Sequence, residues 1–444
     1  MAEKTPVVDR PTADTATIPH WYSGGELMDV ARGDGARIYD GEGSEYLDFL
    51  SQLYCVNAGH SNEAIVEAIS DQLERIQYVA PSKDNDVRSR YADRLAEVAP
   101  DSLSDVFFAV SGSEANESAI QFARAHQDAP KVLTRWRSYH GSTYGAAGLT
   151  GDPSTRSVVE QYAATTGVGK FLPPLPFQSP FDADSPEELA TQAADHLEFV
   201  IRNEGPDSIA AILTEPVAGT SGAYPAPPGY FERVRELCDE YDILLIADEV
   251  ITGFGRCGEF FGVQTEGLEP DMITFAKGAT SAYVPLAGVL ASPEIADGLR
   301  GEGISTGQTF GGHPLGCAAG IAALDEYEGG LVENVRDLAP YLEDGLRGLE
   351  AEHDCIGDVH GRGFLWSVEF ADPSTGEPFV DPFVESDADN PVSSVRDHAR
   401  EQGVLLGSGR PDTQVLLSPP LCIDESDIDE AVEALDRSIA TVFG

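Results

Sequence analysis

The sequence predicts an α/β protein, with a large domain built on a mostly parallel sheet covered by helices and a smaller α+β domain. Two observations carry this. From about residue 105, short apolar runs alternate with longer amphipathic ones. The short runs are near-continuous Ile, Leu, Val and Ala rather than alternating apolar and polar, as in strands covered on both faces. After about residue 331 the pattern changes to a long amphipathic helix, short strand-like runs and a final acidic helix.

The elements follow in order. Residues 1 to about 20 are polar without periodicity and read as an arm, mobile or ordered by a partner subunit. The expected division is residues 1–60 as N-terminal arm and part of the small domain, 61–330 as the large domain and 331–444 as the C-terminal small domain. DVFFAVS reads as a strand, and SEANESAIQFARAH as a helix with Ala115, Ala119, Phe122 and Ala123 on one face. KVLTR is a strand, PEELATQAADHLEFVIR a helix, SIAAILTEPV a strand and FERVRELCDEY a helix. ILLIADEV, DMITFAK and LAGVLAS are further strands, while GRGFLWSVEF and QVLLSPP belong to the smaller domain. Ligands of such sheets sit beyond the carboxyl ends of the strands.

Composition narrows the function. The 444 residues carry a formal charge of -48 and a pI near 4.2, with acidic residues spread along the chain. Such a surface repels nucleic acid and anionic membrane. It resembles that of an intracellular protein of a high-salt organism, because self-repulsion of this size destabilises a compact chain unless salt screens it. The six cysteines form no CxxC pair, which fits reduced thiols in a cytoplasm, and no HxH or HExxH spacing supports a metal. No apolar run approaches the ~20 residues of a membrane span, and no signal-like segment opens the chain.

One placement stands out. The chain has five lysines, and Lys277 lies in ITFAKGATSAYVPLAGV among apolar residues, where an unpaired ammonium is costly. Strand ends carry Asp248 and Glu249 in ILLIADEV and Glu215 in SIAAILTEPV, and DVFFAVS runs into Ser111-Gly112-Ser113 at a helix start. A lysine in an apolar setting escapes its charge cost by condensing with an aldehyde, and burial keeps the amine nucleophilic. An aspartate beside it can pair with a protonated pyridine nitrogen, and a helix N-terminus can hold a phosphate. Aldehyde, pyridinium and phosphate together describe pyridoxal 5'-phosphate. Each piece has a plainer alternative: Ser111 to Glu114 is also a capping box, Asp248 an ion-pair partner, and Lys277 a lysine that snorkels outward.

From about Trp21 to Ile428 the sequence resembles the class III, fold type I pyridoxal phosphate-dependent aminotransferases, in particular the omega-amino acid and amine:pyruvate branch. The resemblance rests on ordered motifs: GDGARIYDGEGSEYLDFLSQLYCVNAGH, FFAVSGSEANESAIQFAR, RWRSYHGST, TEPVAG, LLIADEVITGFGRCGEFFG, FAKGATSAYVPLAGV, QTFGGHP and SPPL. It implies that Lys277 is the Schiff-base lysine and that Asp248 partners the pyridine nitrogen. It places Val250 against one ring face, Tyr139 on the other with His140 beside it, and Gly112 and Ser113 in the phosphate cup. Thr309 of QTFGG would reach the phosphate of the other subunit, making an obligate homodimer. Glu215 would be a supporting acid, and Tyr54 and Trp21 would line the substrate pocket. Relatives place a carboxylate-binding arginine where this chain has Gly407, and Arg410 in the Gly- and Pro-containing GSGRPD stretch is the candidate substitute.

The expected activity is transfer of an amino group from an amine or omega-amino acid to a keto acid such as pyruvate. The alternatives are a same-fold aminomutase or decarboxylase, against which SGSE and FAKGATSAYVPL count, and a cofactor-free acidic binding protein.

Overall fold

A computed structural model describes residues 28–161, 167–303, 306–381 and 389–444. The expected arm and Trp21 lie outside the described residues. The chain opens with an antiparallel meander of β1 (Val30–Asp34), β2 (Arg37–Asp40) and β3 (Glu45–Asp48). Two helices, Glu63–Arg75 and Asp86–Val98, lead to β4 (Asp105–Ala109) and the Gly112–Gln127 helix. The centre adds β5 (Lys131–Arg135), β6 (Val168–Phe171), β7 (Ile209–Thr214), β8 (Leu244–Asp248), β9 (Met272–Phe275) and β10 (Ala287–Ala291). Strands β4 to β10 form one seven-stranded sheet in the order β4-β10-β9-β8-β7-β5-β6.

Every neighbouring pair from β9 to β6 is parallel, and β10 alone runs antiparallel to both its neighbours. Because β4 is antiparallel to β10, it shares the direction of the parallel set, so the carboxyl ends of six strands meet at one edge. Strands β7, β9 and β10 are buried at every position, which explains their unbroken apolar sequences. The helices Gly112–Gln127, Pro186–Glu204 and Tyr230–Tyr241 cover the sheet through Ala119, Ala123, Leu197, Ile201, Val234 and Leu237, all nearly inaccessible to solvent. The expected strands and helices of this region all form. The sequence reading had no edge strand β6, whose VGKF is short and only half-buried.

The C-terminal part holds the long helix Val332–Glu352, β11 (Ile356–Arg362), β12 (Leu365–Phe370), β13 (Val404–Leu405), β14 (Gly407–Ser408), β15 (Gln414–Leu417) and the acidic helix Glu425–Phe443. Strands β11, β12, β15 and β14 make an antiparallel sheet in that order, and GRGFLWSVEF spans its tight β11–β12 turn. Strand β13 leaves to pair in parallel with β3, tying the N-terminal meander to the C-terminal part.

Candidate active site

Functional side chains gather at the carboxyl edge of the large sheet, around one cleft. The Gly112–Gln127 helix begins there. Its capping box is real: Ser111 Oγ accepts the Glu114 N–H (3.3 Å) and the Glu114 carboxylate accepts the Ser111 N–H (3.0 Å). The box does not compete with anion binding, since it occupies the cap and third-residue donors and leaves the first-turn N–H groups of Gly112 and Ser113 without intrahelical acceptors. A Cβ on Gly112 would come within 3.0 Å of Val250, and one on Gly141, at φ +127°, would overlap Ser113 Oγ. Both glycines therefore keep the cup open.

Asp248 ends β8 and is buried. Its Oδ2 accepts from His140 Nδ1 (2.7 Å) and from Asn116 Nδ2 (2.9 Å), and its Oδ1 from the Val250 N–H (3.1 Å). The carboxylate only accepts, so His140 Nδ1 carries the proton in that contact. Tyr139 and Val250 line the same cleft as Asp248 and Lys277. Next to Asp248, Glu249 is completely buried, accepting from the Gly262 and Val263 N–H groups (2.8 and 2.7 Å) and from the Thr252 hydroxyl. Burial pushes its carboxyl pKa up to about 7 against these hydrogen bonds.

Lys277 lies just past the end of β9, in the short helical turn Lys277–Thr280, at φ +47°. A left-handed non-glycine residue is strained, and Tyr54 beside it is another, at φ +60°. The Lys277 Nζ sits 5.4 Å from the centre of the Tyr54 ring and has no hydrogen-bond partner among the described residues. Burial pushes its pKa down to about 8, with Asp248 and Glu215 offsetting part of the shift and Arg256 adding to it. An unpaired amine of lowered basicity is what condensation with an aldehyde requires.

Glu215 follows β7 and has both oxygens engaged, accepting from Arg135 Nη2 (3.0 Å) and from the Gly219 N–H (3.1 Å). Arg410 stands in a neighbouring cleft that shares Tyr139 as a wall. Its guanidinium lies 5.0 Å from the Tyr139 ring centre and donates to Thr155 Oγ1 (2.8 Å), with Asp152 at 3.4 Å. The segment before it is half of a β14–β15 hairpin, and the Arg410 N–H donates to Thr220 O (2.8 Å), so the backbone here is tied down. At Gly407 a Cβ would come within 2.5 Å of Leu50, and no larger side chain fits without moving it. Thr309 is exposed, its carbonyl accepting from the Tyr78 hydroxyl (2.9 Å), and it does not line the Lys277 cleft.

Sequence reasoning missed Asn116, Arg135 and the role of Arg256. The guanidinium of Arg256 is fully buried and donates to Ser51 Oγ (3.1 Å), Asn57 Oδ1 (3.0 Å), Phe364 O (3.2 Å) and Pro419 O. It joins segments from the two ends of the chain, and burial lowers its pKa to about 10. For Asn116 a signal existed: it is a polar residue one turn after Gly112, next to the alanines of the buried helix face.

Fold and candidate site together fit an aminotransferase that uses pyridoxal 5'-phosphate. The chain matches the aminotransferase class-III family over residues 21–439, and it belongs to that family. A probable aminotransferase of Mycobacterium tuberculosis is 37% identical over 428 residues, covering 94% of this chain and 90% of that protein. The diaminobutyrate–2-oxoglutarate transaminase of Halomonas elongata is 33% identical, covering 93% and 90%. The crystal structure of taurine:2-oxoglutarate aminotransferase from Bifidobacterium kashiwanohense, solved with PLP and glutamate, superposes with a TM-score of 0.91 at 34% identity, covering 96% and 95%. The enzyme is thus a transaminase, and its cofactor is pyridoxal 5'-phosphate.

Proposed function

We propose that this transaminase moves an amino group from an amine or omega-amino acid to a keto acid such as pyruvate by a ping-pong mechanism. The observation that carries the reading is the Lys277 amine, without a hydrogen-bond partner among the described residues, in one cleft with Asp248 and a helix N-terminus. Pyridoxal 5'-phosphate, when bound, supplies an aldehyde that condenses with amines and a pyridinium ring that takes up the electrons released at the amine carbon.

Lys277 would hold the cofactor aldehyde through Nζ, and its amine would carry a proton at Nζ to and from the substrate carbon. With a pKa near 8, about a tenth of the amine is unprotonated at neutral pH. Asp248 holds the proton on the pyridine nitrogen, and His140 orients Asp248. Val250 and Tyr139, which line the same cleft, would hold the ring between them. The Gly112 and Ser113 N–H groups bind the phosphate. Glu215, its oxygens committed to Arg135 and Gly219, supports the cleft wall and moves no proton.

The site is completed in a homodimer, where Thr309 of the partner subunit donates its hydroxyl to the phosphate. The exposure of Thr309 and of Phe310, at 56%, supports this. Tyr54 and Trp21 line the substrate side, and Arg410 pairs with the substrate carboxylate. Residues 61–330 form the cofactor-binding domain, with 1–60 and 331–444 as arm and small domain. The charge of -48 supports a halophilic cytoplasmic enzyme.

The test is a screen of amines and omega-amino acids against pyruvate and 2-oxoglutarate at high salt, following both products. One keto acid should be consumed per amine converted, and Lys277→Ala should fold yet lose turnover. Conversion of substrate without consumption of an external keto acid would replace this reading with an aminomutase or decarboxylase.

A further inference from the structure

One buried side chain ties together four of the segments that assemble the cleft. Asn116 lies four residues after Gly112 on the helix that forms the phosphate cup, and its side chain is shielded from solvent. Its Nδ2 donates to Asp248 Oδ2 (2.9 Å) on β8 and to His140 O (2.8 Å), next to Tyr139. Its Oδ1 accepts from Thr274 Oγ1 (2.7 Å) on β9, three residues before Lys277. Asp248 Oδ2 and His140 O can only accept, so the amide has one permitted orientation, with NH2 toward them and oxygen toward Thr274.

We propose that Asn116 is a positioning residue that sets the phosphate cup, the ring wall, the pyridine-nitrogen partner and the lysine strand in mutual register, with the Thr274 hydroxyl anchoring its amide oxygen to the lysine strand. The chemistry requires an amide at this position. Two donors and one acceptor are all used, whereas a carboxylate would set negative charge against both Asp248 and His140 O, and an aliphatic chain would leave three buried polar groups short of a partner. A flipped amide would likewise present its oxygen to the Asp248 carboxylate. Asp248 and His140 O exclude this, and the Thr274 hydroxyl supplies the buried amide oxygen with its donor. The inference rests on the assignment of Asp248 to the pyridine nitrogen, and the experiment separates the two.

The holoenzyme is prepared with pyridoxal phosphate labelled with 15N at the ring, as wild type, Asn116→Leu, Thr274→Val, Thr274→Ser and Asp248→Asn. Ring-nitrogen chemical shift, the pH titration of the bound cofactor's visible band and steady-state kinetics are read on each. Asn116→Leu and Thr274→Val should move the ring-nitrogen signal toward the unprotonated position and shift the visible titration by about one pH unit, a hydrogen bond to the carboxylate being lost in the first and left with an unanchored donor in the second. Turnover should fall by roughly tenfold or more with substrate KM little changed. Thr274→Ser, which keeps the hydroxyl, should restore all three readouts. If Asp248→Asn moves the nitrogen signal while Asn116→Leu and Thr274→Val leave it and the titration at wild-type values, losing only thermal stability, Asn116 is a core residue and the proposal is overturned. If Asp248→Asn also leaves the signal unmoved, the assignment of Asp248 fails and takes the proposal with it.

Discussion

Lys277 should cost the cofactor-free protein stability, and Lys277→Met measures how much. The pKa of this amine falls from 10.5 in the unfolded chain to about 8 in the fold, mainly through desolvation. Protonated Lys277 is therefore disfavoured in the native state by roughly 2.5 pH units, or about 3 kcal/mol, at 1.36 kcal/mol per unit. The sign follows from proton counts. Below pH 8 both states hold the proton and the full penalty applies. Between 8 and 10.5 the unfolded chain binds more protons than the native one, so wild-type stability rises with pH, and above 10.5 the penalty is gone. Met has nearly the same length and no charge. Apo Lys277→Met should thus exceed apo wild type by up to about 3 kcal/mol at neutral pH, with the gap closing above about pH 10.5. Urea unfolding of both cofactor-free proteins at high salt, at neutral and alkaline pH, reads the difference directly. A variant no more stable than wild type at neutral pH would refute the idea that the lysine is held against its solvation preference for the sake of chemistry.

Arg410→Ala should raise KM for pyruvate and carboxylate-bearing donors by the equivalent of about 2 to 3 kcal/mol, the loss of a charge-assisted pair, while sparing simple amines. Because Asp152 and Thr155 hold the guanidinium, Asp152→Asn should lower KM for the same carboxylates, and equal effects on amines and amino acids would eliminate Arg410 as the carboxylate partner. Mixing inactive Lys277→Ala with inactive Thr309→Asp subunits should recover part of the activity in heterodimers that assemble one intact site, and no recovery after demonstrated subunit exchange would mean that each site is built within one chain. The unfolding midpoint should rise steeply with sodium or potassium chloride, since screening relieves repulsion in a chain of charge -48, and a flat curve would exclude adaptation to high salt.

Much of the site was legible in the sequence because its parts lie at strand ends, and strand ends are where local patterns stop. Apolar runs such as ILLIAD and MITF mark parallel strands wherever both faces are covered, so the residues that follow them fall at one edge of the sheet without knowledge of the contacts. The capping box at Ser111 and Glu114 was equally readable, because a helix N-terminus is set by residues three apart. Tertiary structure alone decided the reversal of β10, since an apolar run carries no direction, and the exit of β13 to the N-terminal meander. It alone placed the Arg410 guanidinium against Tyr139 and Asp152. It alone brought Asn116 against Asp248, a hydrogen bond between residues 132 positions apart. Periodicity reports which face of an element is buried, but what a buried polar atom pairs with depends on how distant elements pack, and that partner exists only once the chain has folded.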